Sequence, residues 1–324
     1  MKKLIRRPMA GVLPVVLLVT ACAPGNGQGG GDDGRLPVVA TTTVIADLVA
    51  NVGGDLVEVN ALVPPGGEVH TFDPSPSDVT RVADAAIVFQ NGLGLDDWLT
   101  DLVADAGTDA LIVTVGEDLS GVAYRLAGEH GHDDEDNDTE EEHADEDGHD
   151  EEATDPHLWL NVSYARLYVE RIADGLAEVD PNNAEAYRSN AQSYGAELDE
   201  LDAFAREALA AVPEEDRRLV SFHDGFGYFA DAYGLEIVDT VIDAPGQDPS
   251  AGEVAAVVDA IRESDVRAIL AEAQFPTDLA DRIAEETGVR VVSGLVTDSL
   301  GEPPADSYIG LIRTDVDLIV EALH

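Results

Sequence analysis

From residue 36 onward, short unbroken apolar runs alternate with stretches in which apolar residues return every three or four positions. Residues 37–41 (PVVAT), 86–89 (AIVF) and 111–115 (LIVTV) read as buried strands, and 56–63 alternates as another. Between them, Val44, Ile45, Leu48 and Val49 recur at helical spacing behind a Thr43 cap and stop at Gly53-Gly54. Ser77 is expected to cap a short helix over 78–85, and 97–106 reads as a third helix. Strands of this kind, each followed by a helix, predict a mostly parallel sheet covered on both faces.

Residues 161–179 are amphipathic and helical, and a longer helix follows from Pro181 to about Ala211. Its apolar stripe is Tyr187, Ala191, Tyr194, Leu198, Leu201, Phe204 and Leu209. At ~1.5 Å per residue it would run about 45 Å, more than one domain needs, so it reads as a stiff connector. The alternation then restarts, with strands over 219–222, 236–241, 268–271 and 289–292 and helices over 226–233, 250–263, 278–287 and 308–323. The expected fold is α/β in two lobes, each a mostly parallel sheet flanked by helices, joined by one long rigid helix. The N-terminal lobe spans 36–180, the linking helix 181–212 and the C-terminal lobe 213–324. Such an arrangement leaves a cleft, and ligands of such folds bind at the carboxyl ends of strands.

The first residues follow another pattern. Lys2, Lys3, Arg6 and Arg7 precede an apolar run from Val12 to Val19 that is too short for a permanent membrane span. Val19-Thr20-Ala21-Cys22 looks like a bacterial lipobox, and Cys22 is the single cysteine among 324 residues, so no internal disulfide can form. Residues 1–21 are therefore expected to be a lipoprotein signal peptide, Cys22 the lipidated residue and 22–35 a flexible Gly-rich tether. The protein is expected to be exported and lipid-anchored at the outer face of the cytoplasmic membrane.

Charge adds one further region. The chain has 18 basic and 66 acidic residues, a formal net charge of −48, and its only lysines are Lys2 and Lys3. This surface repels nucleic acid and attracts cations. Salt adaptation would explain most of it outside the tract GEHGHDDEDNDTEEEHADEDGHDEEA, the acidic loop 128–153. That tract carries His130, His132, His143 and His149 among carboxylates, and no soluble core could absorb it. It reads either as a low-affinity collector of divalent cations or as an inert solvated insertion.

Three further histidines sit in ordered surroundings at strand or loop ends. His70 lies in the loop PPGGEVHTFDP, His157 in Asp155-Pro156-His157-Leu158-Trp159-Leu160, and His223 directly after the strand 219–222. Asp298 follows the strand 289–292 in Thr297-Asp298-Ser299-Leu300-Gly301. Alone, His157 reads more readily as a cap, and His223 as a hydrogen-bonded loop residue, than as metal ligands. Together, three neutral imidazoles and one carboxylate, two from each lobe, form a tetrahedral zinc set. Glu68, two residues before His70, is a further candidate ligand, and Glu272, ending the strand 268–271, is a candidate partner for an imidazole.

The motifs GEVHTFDPSPSD (67–78), NGLG (91–94), DPHLWL (155–160), FHDGFGYF (222–229) and DSLG (298–301) occur in this order. In them the chain resembles the metal-binding solute-binding lipoproteins of bacterial ABC transporters, the cluster A-I or ZnuA/TroA-like family, from about residue 36 to 324. The resemblance implies two α/β lobes with metal between them, His70, His157, His223 and Asp298 as ligands, and an ABC permease as partner. It also implies that a carboxylate at the third ligand position goes with manganese, so His223 there favours Zn2+ over Mn2+. A His-rich acidic loop before the second ligand is likewise typical of zinc members. The expected protein is a monomeric binding component, not an enzyme: no HExxH helix is present, and four ligands leave no corner for a hydrolytic water. A zinc buffer or adhesin without a permease, and a zinc hydrolase, are the competing classes. Affinity should fall below about pH 6, since imidazoles bind metal only when neutral and their ordinary pKa is ~6.5.

Overall fold

A computed structural model describes residues 34–128, 153–242, 245–246 and 249–323. In the N-terminal lobe, β1 (Leu36–Ala40), β2 (Val57–Ala61), β3 (Ile87–Gln90) and β4 (Leu111–Thr114) form a sheet in the order β2-β1-β3-β4. Helices α1 (Thr43–Gly53), α2 (Pro76–Asp84) and α3 (Leu99–Ala106) connect them, and α4 (Val162–Val179) packs back on β3 and β4. In the C-terminal lobe, β5 (Arg218–His223), β6 (Glu236–Ile242), β7 (Ala268–Glu272) and β8 (Arg290–Leu295) repeat the winding as β6-β5-β7-β8. Its helices are α6 (Gly227–Tyr233), α7 (Ala251–Glu263), α8 (Asp278–Thr287) and α9 (Tyr308–Leu323). Every strand pairing is parallel, which puts all the carboxyl ends of a lobe on one edge.

The long helix α5 is Ala184–Ala210, 27 residues or about 40 Å at ~1.5 Å per residue. It packs against α1 and α4 of the first lobe and against α6 and α9 of the second. Tyr187, Leu198, Leu201 and Leu209, four members of its predicted stripe, have no exposed surface, while Phe204 is only partly buried. One apolar cluster runs from Val38 and Phe89 through Trp159, Leu198 and Leu201 to Leu270 and Ile312, so both lobes share it. Each outer sheet face has a smaller cluster, under α2 and α3 in one lobe and under α7 and α8 in the other. Opening the lobes widely would expose the shared cluster, at ~1.5–3 kcal/mol for each large side chain uncovered.

Two caps differ from their expected positions. Ser75, not Ser77, caps α2: Pro76 fits the first helical position, and Ser75 and Asp78 form a reciprocal capping box. Thr42, not Thr43, caps α1 by accepting the Ile45 N–H at 3.2 Å. The Thr43 hydroxyl instead accepts the N–H of Leu300 from the other lobe at 2.7 Å. Strand β5 also extends to include His223, and β7 to include Glu272. Both residues are thereby held by ladder geometry.

Candidate metal centre

Four side chains converge where the carboxyl edges of the two sheets meet. Their donor atoms, from His70, His157, His223 and Asp298, lie within 4.8 Å of one another. His157 Nε2 stands 3.4 Å from the Nε2 atoms of both His70 and His223. Asp298 Oδ1 is 3.4 Å from His157 Nε2, and Oδ2 is 3.8 and 3.7 Å from His70 and His223. A tetrahedron with ~2.0–2.1 Å bonds has edges of about 3.3–3.4 Å, close to the shortest of these.

The outer nitrogens explain why the inner ones face each other. His157 Nδ1 lies 2.8 Å from Asp155 Oδ1, and His223 Nδ1 lies 2.6 Å from Glu272 Oε1. A proton on each Nδ1 satisfies these carboxylates and leaves both Nε2 lone pairs pointing inward. Two lone pairs 3.4 Å apart in a dry pocket repel unless a proton or a metal ion lies between them. Asp298 Oδ1 is buried without any hydrogen-bond donor among the described residues. The site therefore presents more acceptors than donors, the electrostatic shape of a cation pocket.

Titration follows the same geometry. Burial lowers His157, but its hydrogen bond to Asp155 and the charge of Asp298 outweigh it and push its imidazolium up to about 10. Burial likewise opposes the rise of His223, which Glu272 and Asp298 drive upward. His70 behaves otherwise: burial and its two imidazole neighbours bring it down to about 4 against the pull of Asp298. Burial works to raise Asp298, yet the three imidazoles hold it well below the usual carboxylate range. The carboxylates thus favour a positive charge at His157 and His223, and the imidazoles favour a negative one at Asp298.

Local structure fixes each donor. Asp155 accepts the His157 backbone N–H at 2.9 Å as well as its ring, setting residue and rotamer together. Trp159 Nε1 donates to Thr297 O across the lobes, tying the His157 segment to the residue before Asp298. His223 is 1% exposed at the end of β5, and a Cβ at Gly225 would lie 2.7 Å from its Nε2. Only glycine leaves that nitrogen accessible. The His70 loop is tied down by Trp98, whose indole donates to Val69 O, and by Gly66 N, which donates to Ser299 Oγ and Leu300 O. His70 is the most open donor, with 21% of its side chain exposed, so the mouth lies on its side.

Glu68 stands beside the four-donor group rather than in it. Its Oε1 accepts the His70 N–H, and its Oε2 is buried without a hydrogen-bond partner among the described residues. Burial and Asp298 push its carboxyl up to about 7. His130, His132, His143, His149 and Cys22 lie outside the described residues. The segment leading into the acidic loop and the one leaving it are joined beside the site: Leu126 pairs with Thr154, and Gly128 N donates to Asp224, next to His223. Asp155 and Gln274 also carry hydrogen bonds to site residues, beyond the candidates named from the sequence. Asp155 had a signal in its place two residues before His157, whereas Gln274 had none. Among the described residues no helix is long and apolar enough to cross a membrane.

Known proteins are similar to this chain in sequence and in fold. A family model described as "Zinc-uptake complex component A periplasmic" matches residues 38–322. The manganese-binding lipoprotein MntA of Halalkalibacterium halodurans is 29% identical over 315 residues, covering 96% of this chain and 97% of that one. The iron-binding protein YfeA of Yersinia pestis is 31% identical over 290 residues, 89% of this chain and 86% of that protein. The periplasmic zinc-binding protein TroA of Treponema pallidum superposes with a TM-score of 0.75 at 25% identity, covering 90% of this chain and 99% of that structure.

Proposed function

We propose that this chain, which belongs to the zinc-uptake complex component A family of metal-binding ABC-transporter proteins, takes Zn2+ as its cargo and delivers it to an ABC permease. The observation that carries the reading is the convergence of three imidazole Nε2 atoms on one carboxylate, with two outer nitrogens held by Asp155 and Glu272. A nitrogen-rich set of four favours zinc, whereas manganese prefers more oxygen ligands and higher coordination. His70, His157, His223 and Asp298 are the proposed ligands, with Glu68 the nearest further carboxylate. The proposed organisation is a lipid anchor at Cys22, a tether over 22–35, lobes over 36–180 and 213–324, and a connecting segment over 181–212. The protein would act as a monomer at the outer face of the cytoplasmic membrane. Release requires small displacements around the shared core, with loss of the hydrogen bonds from Gly66 to Ser299 and from Leu300 to Thr43.

Manganese is the second reading. It is favoured by relatives named for manganese and by the longer distances from Asp298 to His70 and His223. Metal analysis of the purified protein with competitive titration separates the two. Zinc should bind at least about a hundredfold more tightly than manganese, following the order of affinity for nitrogen donors. Equal affinities, or a preference for manganese, would overturn the zinc assignment.

A further inference from the structure

Strand β7 lies between β5, which ends on His223, and β8, which leads to Asp298. Its carboxyl end touches a donor on each side. Glu272 holds His223 through Nδ1, and two residues later the Gln274 amide donates to Asp298 Oδ2 at 3.3 Å and to Thr297 Oγ1 at 3.2 Å. Phe275 completes this bracket with its ring 5.5 Å from that of His223.

The two oxygens of Asp298 are thereby made unequal. Oδ2 spends a lone pair on the amide, while Oδ1 is buried, has no donor and faces His157 Nε2 at 3.4 Å. That bond draws electron density from Oδ2 and fixes the carboxylate plane, so Oδ1 is the better donor to a metal. Three imidazoles and one oxygen make a four-coordinate site. With both oxygens free, the same residues would supply five donors, a count that suits manganese better than zinc. We infer that Gln274 is a specificity-determining residue: by engaging Asp298 Oδ2 it makes Asp298 a one-oxygen ligand and biases the site toward four-coordinate metals. This rests on the four-donor site proposed above, and it adds the side chain that sets the coordination number.

Cobalt(II) is the probe, because its visible d–d bands are intense in four-coordinate sites and weak in five- or six-coordinate ones. Wild type, Gln274→Met and Gln274→Ala would each be loaded with cobalt, checked for folding by thermal unfolding, and titrated with zinc against manganese. Wild type should show intense bands. Both variants should lose intensity, and their zinc-over-manganese preference should narrow by roughly tenfold, the lower end for loss of a partner behind a ligand. A bystander role for Gln274 would lower all affinities together and leave spectrum and preference unchanged. That result, or weak bands in wild type, overturns the inference. If wild type prefers manganese yet its intense cobalt spectrum collapses in the variants, the zinc reading fails and the role of Gln274 stands. Should one variant fail to fold, the other decides.

Discussion

The two lobes wind their sheets in the same order but support their donors differently. In the C-terminal lobe His223 is part of β5, Glu272 and Gln274 grip both donors from the end of β7, and Asp315 on α9 accepts the Val296 N–H two residues before Asp298. In the N-terminal lobe His70 hangs from a loop, is part exposed, and has no carboxylate on Nδ1 among the described residues. His157 is the exception in that lobe, since Asp155 holds it by backbone and ring. His157, His223 and Asp298 thus form a firmly held seat, with carboxylates behind two of the imidazoles, and His70 is a looser arm at the mouth. That suits a carrier, which needs a fixed geometry to select an ion and one movable ligand to let it in and out.

The sharpest way to break this comparison is to remove one donor from each side. His223→Ala should weaken zinc by more than about a hundredfold, beyond the ~10–100-fold span for supporting residues, whereas His70→Ala should cost only roughly tenfold as water fills the open corner. Competitive titration with a chromophoric chelator measures both, and equal losses would mean the arm and the seat are not distinct.

Acid acts through the seat. A bound metal must displace the proton from His157, whose pKa is about 10, while His70, at about 4, is already neutral above pH 5. Each displaced proton makes affinity fall about tenfold per pH unit as pH is lowered. This fall should be under way across pH 8 to 6, higher than the limit near pH 6 expected from an ordinary imidazole. Calorimetry in buffers of different ionisation enthalpy should show at least one proton released per zinc at pH 7.5. A binding constant flat over that range would contradict the assigned hydrogen bonds.

The smallest effect concerns how the seat is supported. Burial, together with the nearby Glu272, raises the Asp315 carboxyl well above its ordinary value, and its Oδ2 has no hydrogen-bond partner among the described residues. For an acid raised on folding, the native state holds a proton that the unfolded chain has lost, so stability drops as pH climbs above ~4. Asp315→Asn removes that loss. It should raise Tm by about 2–4 °C at pH 7.5, corresponding to about 1 kcal/mol, with the gain vanishing near pH 4. A lower Tm at pH 7.5 would show that the ionised carboxylate is itself needed.

Much of this was legible because it is periodic or local. Short apolar runs rich in Val and Ile and bounded by turn residues read as buried strands, and the stripe from Tyr187 to Leu209 located the long helix to within a few residues. The caps were less legible, since Thr42 and Thr43, or Ser75 and Ser77, are chemically equivalent until Pro76 and the contact of Thr43 with Leu300 separate them. Glu272 could be suspected from its place at a strand end. Gln274 could not, because nothing local distinguishes an amide that touches residue 298 from one that faces water.

By itself the sequence determined the alternation of strand and helix, the doubling of the lobe and the identity of four chemically suitable side chains. Each of these depends on interactions over a few residues or on residue type alone. Tertiary structure decided which nitrogens face inward, which oxygen of Asp298 is free, and which imidazoles have a carboxylate at Nδ1. Those outcomes depend on distances of about 3 Å between residues as far apart as 70 and 298, which only the packing of two sheets about a shared core can set.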